Sequence, residues 1–391
     1  MNALLVALVA RPQSRYAARF TSRFTASLAI VSLTALAALP LAAMAQSAVQ
    51  TVAPDGGIWN SGAGFSFGLS KKKELKTRRS VSGMACNLNA QQTRICLLAF
   101  DEGAEARYAT ISRASLVPDA EAVVLRNTQG ELDVEAAATD GRYFYVTGSH
   151  SAKRGDCASN PESRHVIRLR IDPATGRAVN PSGSGLLADY ADSGRLWDIM
   201  QRQAELAPHM GERACLGSEP PAGAPALAGQ QGVNIEGMAV KDGRLYFGFR
   251  GPVASGVARV LSVNAQALFE GGDVRAVVTR LALGPQRGIR DMLAVKGGFL
   301  LLVGPDDSPA SQKGDWAVWW WDGKAATGTP GMAAPRKLAI LDLRAVQLRQ
   351  CDKELKPEAM TLLAESPSSW TLLVLSDGMC DGGAVTVSVP R

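Results

Sequence analysis

The chain has 391 residues, 20% of them charged, and a formal net charge of +6. Four positive charges, Arg11, Arg15, Arg19 and Arg23, lie in an N-terminal segment that reads as a leader, so the remainder carries only +2. So small a charge, with no basic run interleaved with aromatics, argues against a nucleic-acid partner.

The leader spans residues 1–45. The four arginines form a positive n-region, Ala26 to Ala43 is an apolar run, and Ala43-Met44-Ala45 is a small-x-small cleavage site before Gln46. A retained membrane anchor is the rival reading, but the run is short for a span. The expectation is a periplasmic or secreted monomer with no membrane span after cleavage. All six cysteines lie beyond the leader. In an exported chain they suggest disulfides, and no C-x-x-C motif points to zinc or redox chemistry.

Next along the chain, Gly64-Phe65-Ser66-Phe67-Gly68 matches the nucleophile-elbow pattern. Its residues alternate like a strand, and the basic cluster Lys71-Lys72-Lys73, with Lys76, Arg78 and Arg79, reads as a solvated loop. An elbow needs a strand, a turn and a helix, so no serine hydrolase is expected.

The informative feature is an internal repeat. Val134-Glu135-Ala136, Ile235-Glu236-Gly237, Arg290-Asp291-Met292 and Pro357-Glu358-Ala359 align, and Val81-Ser82-Gly83 fits with serine in place of the carboxylate. Each is followed by a second apolar strand, ending near Phe100, Thr147, Phe249, Val303 and Leu375. In three units the connecting turn is Asp-Gly or Gly-Gly, a hairpin signal. Third strands follow at 106–111, 165–171, 257–263, 316–321 and 385–389. Fourth strands follow at 122–126, 275–283 and 337–343.

Four antiparallel strands per unit predict an all-β chain, a five-bladed β-propeller forming one domain over 46–391. An insertion at about 173–230 carries a helix, Ser193 to Leu206, and a Pro/Ala/Gly-rich loop, Glu219 to Gly229; a sixth, degenerate blade there is the alternative. The segment Trp59 to Leu69 is expected to close the ring. The repeat favours the pairings Cys86–Cys96, Cys157–Cys215 and Cys351–Cys380. Trp319-Trp320-Trp321 should pack on both faces of its blade.

First strands line a propeller's channel, and the carboxylates stand at their beginnings. The ends of the second strands return to the same level. That rule brings together Ser82 with Asp101 and Glu102, Glu135 with His150, Glu236 with Arg250, Asp291 with Asp306, and Glu358 with Asp377. Arg287 and Arg290 approach the same rim. Glu135, Glu236, Asp291 and Glu358 could hold a hard cation such as Ca²⁺. Arg250, Arg287 and Arg290, with Asp101 and Glu102 nearby, could instead bind an anionic small molecule. His150, Glu236 and Asp291 are the acid–base candidates. The competing role for each carboxylate is structural, capping backbone N–H groups of neighbouring blades.

Val134-Glu135-Ala136 with Gly148-Ser149-His150-Ser151, Ile235-Glu236-Gly237-Met238 with Gly248 to Pro252, Arg287 to Asp291 with Gly304-Pro305, and Trp319 to Gly323 resemble the bacterial family catalogued as domain of unknown function 3616. The likeness runs in order from about Trp59 to Pro390. It implies an exported, propeller-like protein and brings no activity. A looser similarity links the Glu-Gly strand starts to calcium-dependent lactonase and phytase-like propellers, an analogy of architecture only. The functional expectations are therefore a metal-assisted hydrolase of a small ester, lactone or phosphoester, a non-catalytic binding module for a ligand or protein, or a scaffold.

Overall fold

The computed structural model describes residues 49–128, 130–154, 156–179, 187–211, 214–216, 232–307, 315–325 and 332–391. The leader and the Glu219 to Gly229 loop lie outside them. In chain order come β1 (Gln50–Val52) and α1 (Lys71–Arg78), then blade 1, made of β2 (Val81–Leu88), β3 (Arg94–Phe100), β4 (Glu105–Ser112) and β5 (Ser115–Val124). Blade 2 holds β6 (Val134–Thr139), β7 (Tyr143–Gly148), β8 (Val166–Arg170) and β9 (Ala191–Ser193), and α2 (Arg195–Gln201) follows. Blade 3 holds β10 (Asn234–Lys241), β11 (Arg244–Gly251), β12 (Val257–Asn264) and β13 (Val277–Ala282), with α3 (Ala265–Glu270) between the last two. Blade 4 begins with β14 (Arg287–Val295), β15 (Gly298–Pro305) and β16 (Trp316–Trp321); β17 (Met332–Ala333) then adds to β13, and β18 (Arg336–Leu341) returns to blade 4. Blade 5 holds β19 (Lys356–Glu365), β20 (Ser369–Asp377) and β21 (Val385–Pro390).

The innermost strands meet in cyclic order: β2 with β6, β6 with β10, β10 with β14, β14 with β19, and β19 with β2. That closes a five-bladed propeller, with no sixth blade among the described residues. The turn between β10 and β11 shows the local chemistry. Asp242 and Gly243 take φ of 50° and 71°, the paired left-handed geometry of a tight hairpin.

The core is divided among the blade contacts. Phe144 packs with Leu97 and Leu125 between blades 1 and 2, and Phe247 with Tyr145 between blades 2 and 3. Phe299 packs with Val260 and Leu281 between blades 3 and 4, Trp370 with Leu338 between 4 and 5, and Phe100 with Leu373 between 5 and 1. Each fully buried aromatic contributes about 1.5–3 kcal/mol relative to an exposed one. As expected, the tryptophan run serves both faces, Trp319 and Trp321 toward blade 3 and Trp320 toward blade 5.

Several details differ from the sequence reading. The insertion contributes β9, the fourth strand of blade 2, and its helix is only Arg195–Gln201. Trp59 to Leu69 forms no strand, and blade 5 keeps three. Trp59 and Asn60 still join blades 5 and 1, Trp59 N donating to Ala384 O (2.8 Å) and Asn60 bridging to Ser115. The preceding segment adds Asp55 N, which donates to Thr386 O of blade 5 (2.6 Å), and β1, which pairs parallel with β18 as an outer strand of blade 4. The basic cluster forms α1 rather than a loop, anchored where Arg78 clamps Asp381. Cys86–Cys96 ties directly opposed positions of β2 and β3, and Cys157–Cys215 ties the loop after β7 to the segment after α2. Cys351 and Cys380 are free thiols: their sulfurs lie within 4.8 Å of each other without bonding, and the Cys380 Sγ donates to the Cys351 carbonyl oxygen, 3.1 Å away.

Candidate functional site

All five inner strands carry a β-bulge at the same place. The pairing register slips between Val81 and Gly83, Val134 and Ala136, Ile235 and Gly237, Ile289 and Asp291, and Pro357 and Ala359. The extra residues are Ser82, Glu135, Glu236, Arg290 and Glu358. A bulge re-aims one side chain without moving the rest of the strand, and here the five stand as a ring at one mouth of the channel. In four of the five blades the residue after the bulge is Gly or Ala, and at Gly83 the reason is close packing: an added Cβ would lie 2.8 Å from the Ala136 and Ala137 backbone.

This register corrects the alignment of blade 4. Asp291 was matched with Glu236, yet Arg290 holds the ring position and Asp291 is one residue inward. Asp291 is buried, and its carboxylate accepts from Met292 N (2.7 Å) and Met360 N (2.6 Å), a latch between blades 4 and 5. Burial pushes its pKa well up against those two hydrogen bonds. The structural role foreseen for some carboxylates applies to Asp291, not a metal or acid–base role.

Arg290 in the ring explains the charge pattern around it. Its Nε lies 2.8 Å from Glu236 Oε2, and its Nη2 contacts Glu358 Oε1, so it links the ring residues of the two flanking blades. Glu236 Oε1 also receives Arg250 Nη1 (2.8 Å) and Asn234 Nδ2 (3.0 Å). Arg250 Nε reaches Asp307 Oδ1 at 3.0 Å. Burial alone would raise the Glu236 pKa, but Arg250 and Arg290 together hold it below its usual value. Glu358 is pushed up to about 8, by burial and by Asp377 and Glu236, against the pull of Arg290. Lys356 pairs with Glu354 (2.8 Å) and Asp377 (3.3 Å) beside it.

The opposite side of the mouth is different. Asp101, Glu135 and Arg154 line both a cavity of about 560 Å³ toward blades 3–5 and an adjoining one of about 620 Å³ toward blade 2. Among the described residues, the side chains of Asp101 and Glu135 have no hydrogen bond or ion pair, and Asp101 Oδ1 is buried. Both pKa values lie well above the ordinary range. Burial is the main cause, aided by Asp377 and Glu102 at Asp101, and by Glu236 and Asp133 at Glu135.

Of the residues singled out from sequence, Asp101, Glu135, Glu236, Arg250, Arg290, Asp306, Glu358 and Asp377 line this mouth. Glu102 turns away to Lys76, and among the described residues Arg287 reaches only the Gln286 carbonyl. His150 is fully buried at φ 54°, where the chain turns into the interior, and burial drops its pKa to about 3. Enclosed in this way, its imidazole does not line the mouth. Sequence reasoning missed Asn234, Asp307, Arg154 and Trp316. Asn234 and Asp307 sit beside residues it had named, so the local motif was the available signal.

The proposed cation ligands do not converge. Glu236 and Glu358 meet guanidinium groups, and Asp291 meets backbone. Among the described residues, only Cys351, Asp352 and Cys380 form a group of three donors within 4.8 Å of one another. A divalent ion at Glu236 would sit against two guanidinium groups, so these residues do not fit Ca²⁺. Nor do Arg250 and Arg290 offer free charge to an anion.

A family profile described as a protein of unknown function (DUF3616) matches residues 92–172 and 187–382. Among solved structures, the glutaminyl cyclase of Myxococcus xanthus aligns at 11% identity with a TM-score of 0.39, covering 81% of this chain and 91% of that one. The α-L-arabinanase of Cellvibrio cellulosa aligns at 10% and 0.40, covering 79% and 91%, and an endo-arabinanase from Bacillus licheniformis at 10% and 0.33, covering 81% and 95%. Likenesses this distant carry no argument about activity. No curated protein matches the chain.

Proposed function

The chain belongs to the DUF3616 family, and we propose that it is an exported propeller whose channel mouth binds a small polar molecule. One observation carries this reading: Asp101 and Glu135 face a cavity with no hydrogen-bond or ion-pair partner among the described residues, while Glu236, Arg250, Arg290 and Glu358 across the mouth are paired. Leaving a buried polar group unsatisfied costs about 1–3 kcal/mol, and a ring built only for stability has no use for that cost. Unpaired, pKa-shifted groups in a cavity are what a binding site requires. The two disulfides support export, which keeps them oxidised. Among the described residues no helix is long and apolar enough to cross a membrane.

A second reading, hydrolysis of a small ester, lactone or phosphoester, is favoured by Glu358. Its pKa of about 8 places a protonated carboxyl beside ionised Glu236, the separation that acid–base catalysis uses near neutral pH. Glu358 would give and take the proton. Glu236, with both oxygens engaged, would only position Arg250 and Arg290.

The test is a ligand and substrate screen on the mature protein beside its Asp101→Asn, Glu135→Gln and Glu358→Gln variants. Binding that Asp101→Asn or Glu135→Gln abolishes in a folded protein supports the site. Turnover lost in Glu358→Gln supports hydrolysis. A ligand insensitive to all three variants contradicts both readings.

A further inference from the structure

We infer that the side of the mouth formed by blades 1 to 3 receives an organic cation, an ammonium group held jointly by Asp101, Glu135 and the side-chain carbonyl of Asn234. The inference rests on the proposed ligand site and names the ligand's chemical class.

Asn234 supplies the independent observation. It is 1% exposed and lines the cavity of about 620 Å³ together with Asp101 and Glu135. Its Nδ2 donates to Glu236 Oε1 (3.0 Å) and Asp307 Oδ2 (3.3 Å). Both acceptors are carboxylate oxygens. Turning the amide over would set its own oxygen against them, so its orientation is fixed. Asn234 Oδ1 is thereby committed as an acceptor, and it is buried with no donor among the described residues. Asp101 Oδ1 is in the same condition.

The requirement is therefore for donors. An ammonium group brings three N–H donors and no acceptor, which suits two carboxylates and an amide oxygen. Charge selects the same partner. This cavity is lined by Asp101, Glu131, Asp133, Glu135 and Glu162 against Lys153 and Arg154. An anion would meet that excess directly, and a neutral polyol would leave it uncompensated. The pKa values of Asp101, Asp133 and Glu135 are raised first by burial and then by neighbouring acids, with Arg154 opposing the shift at Asp133, which fits a pocket rich in acids.

The experiment titrates the mature protein with four probes, following heat of binding and unfolding temperature: putrescine, its neutral analogue 1,4-butanediol, the dianion succinate, and CaCl₂. Putrescine should bind and raise the unfolding temperature, and the other three should not. Asp101→Asn and Glu135→Gln should each weaken putrescine binding by about tenfold, or about 1.4 kcal/mol, and Asn234→Leu should weaken it as well. Equal shifts from the diol, or binding of succinate or Ca²⁺ in place of putrescine, would overturn the cation class. If that binding were still abolished by Asp101→Asn and Glu135→Gln, the ligand site would stand. No response to any probe would also overturn the inference. Should both carboxamide variants then prove less stable than the parent, the ligand-site reading would fall with it.

Discussion

Replacing Arg290 by methionine tests the ion-pair side of the mouth. The guanidinium is 2% exposed, meets Glu236 Oε2 at 2.8 Å and contacts Glu358 Oε1, and it lies 5.3 Å from the Trp316 ring centre. Two hydrogen bonds to charged partners contribute about 1.5–3 kcal/mol each. Glu236 keeps Arg250, and Glu358, its pKa already near 8, is largely protonated at pH 7 and so loses less when the guanidinium goes. Arg290→Met should therefore destabilise by about 3–5 kcal/mol, the usual range for breaking a buried pair from one side. Urea unfolding at pH 7, followed by tryptophan fluorescence and circular dichroism together, measures it. Adding Glu358→Gln to Arg290→Met should cost less than the two single effects summed, with a coupling of about 0.5–3 kcal/mol. A loss below about 1 kcal/mol for Arg290→Met, or strict additivity in the double variant, would refute the bridging role.

Other outcomes follow from the same geometry. The Glu358 pKa rises from 4.5 to about 8 on folding, so the native state holds the extra proton; stability should be full below about pH 4.5 and decline as pH rises toward 8, and Glu358→Gln should flatten that decline in unfolding curves. Gly83→Ala places a methyl group against backbone of blade 2 that cannot move cheaply, and should cost about 1–3 kcal/mol in urea unfolding. Removing the Cys157–Cys215 bridge, which spans 58 positions, by Cys157→Ser with Cys215→Ser should cost about 2–5 kcal/mol, read as a lower unfolding midpoint.

The blades were legible because their strands answer to simple demands: apolar runs for the interfaces between blades, and Asp-Gly or Gly-Gly for the turns. The rim was half legible. Glu135, Glu236 and Glu358 could be read from the repeat, because a bulged residue keeps its place in a motif. Arg290 was seen but misassigned, because a bulge shifts the register by one and the eye aligns carboxylate with carboxylate. His150 misled for a related reason. It follows the strand that ends at the mouth, but a left-handed residue there turns the side chain into the interior. The outer strand Gln50–Val52 on blade 4 was hidden because three residues pairing in parallel leave no alternating pattern. The commitment of Asn234 was invisible, since it depends on Asp307, 73 positions away.

The most direct measurement is the unfolding free energy of the ligand-free Asp101→Asn, Glu135→Gln double variant against its parent, across pH. If these carboxyls are kept for a ligand, the variant should equal or exceed the parent at pH 7. Its advantage should grow as pH rises, because acids with raised folded-state pKa values cost stability as they are forced to ionise. A loss of more than about 1 kcal/mol at pH 7, the mark of groups that hold the ring together, would contradict the account.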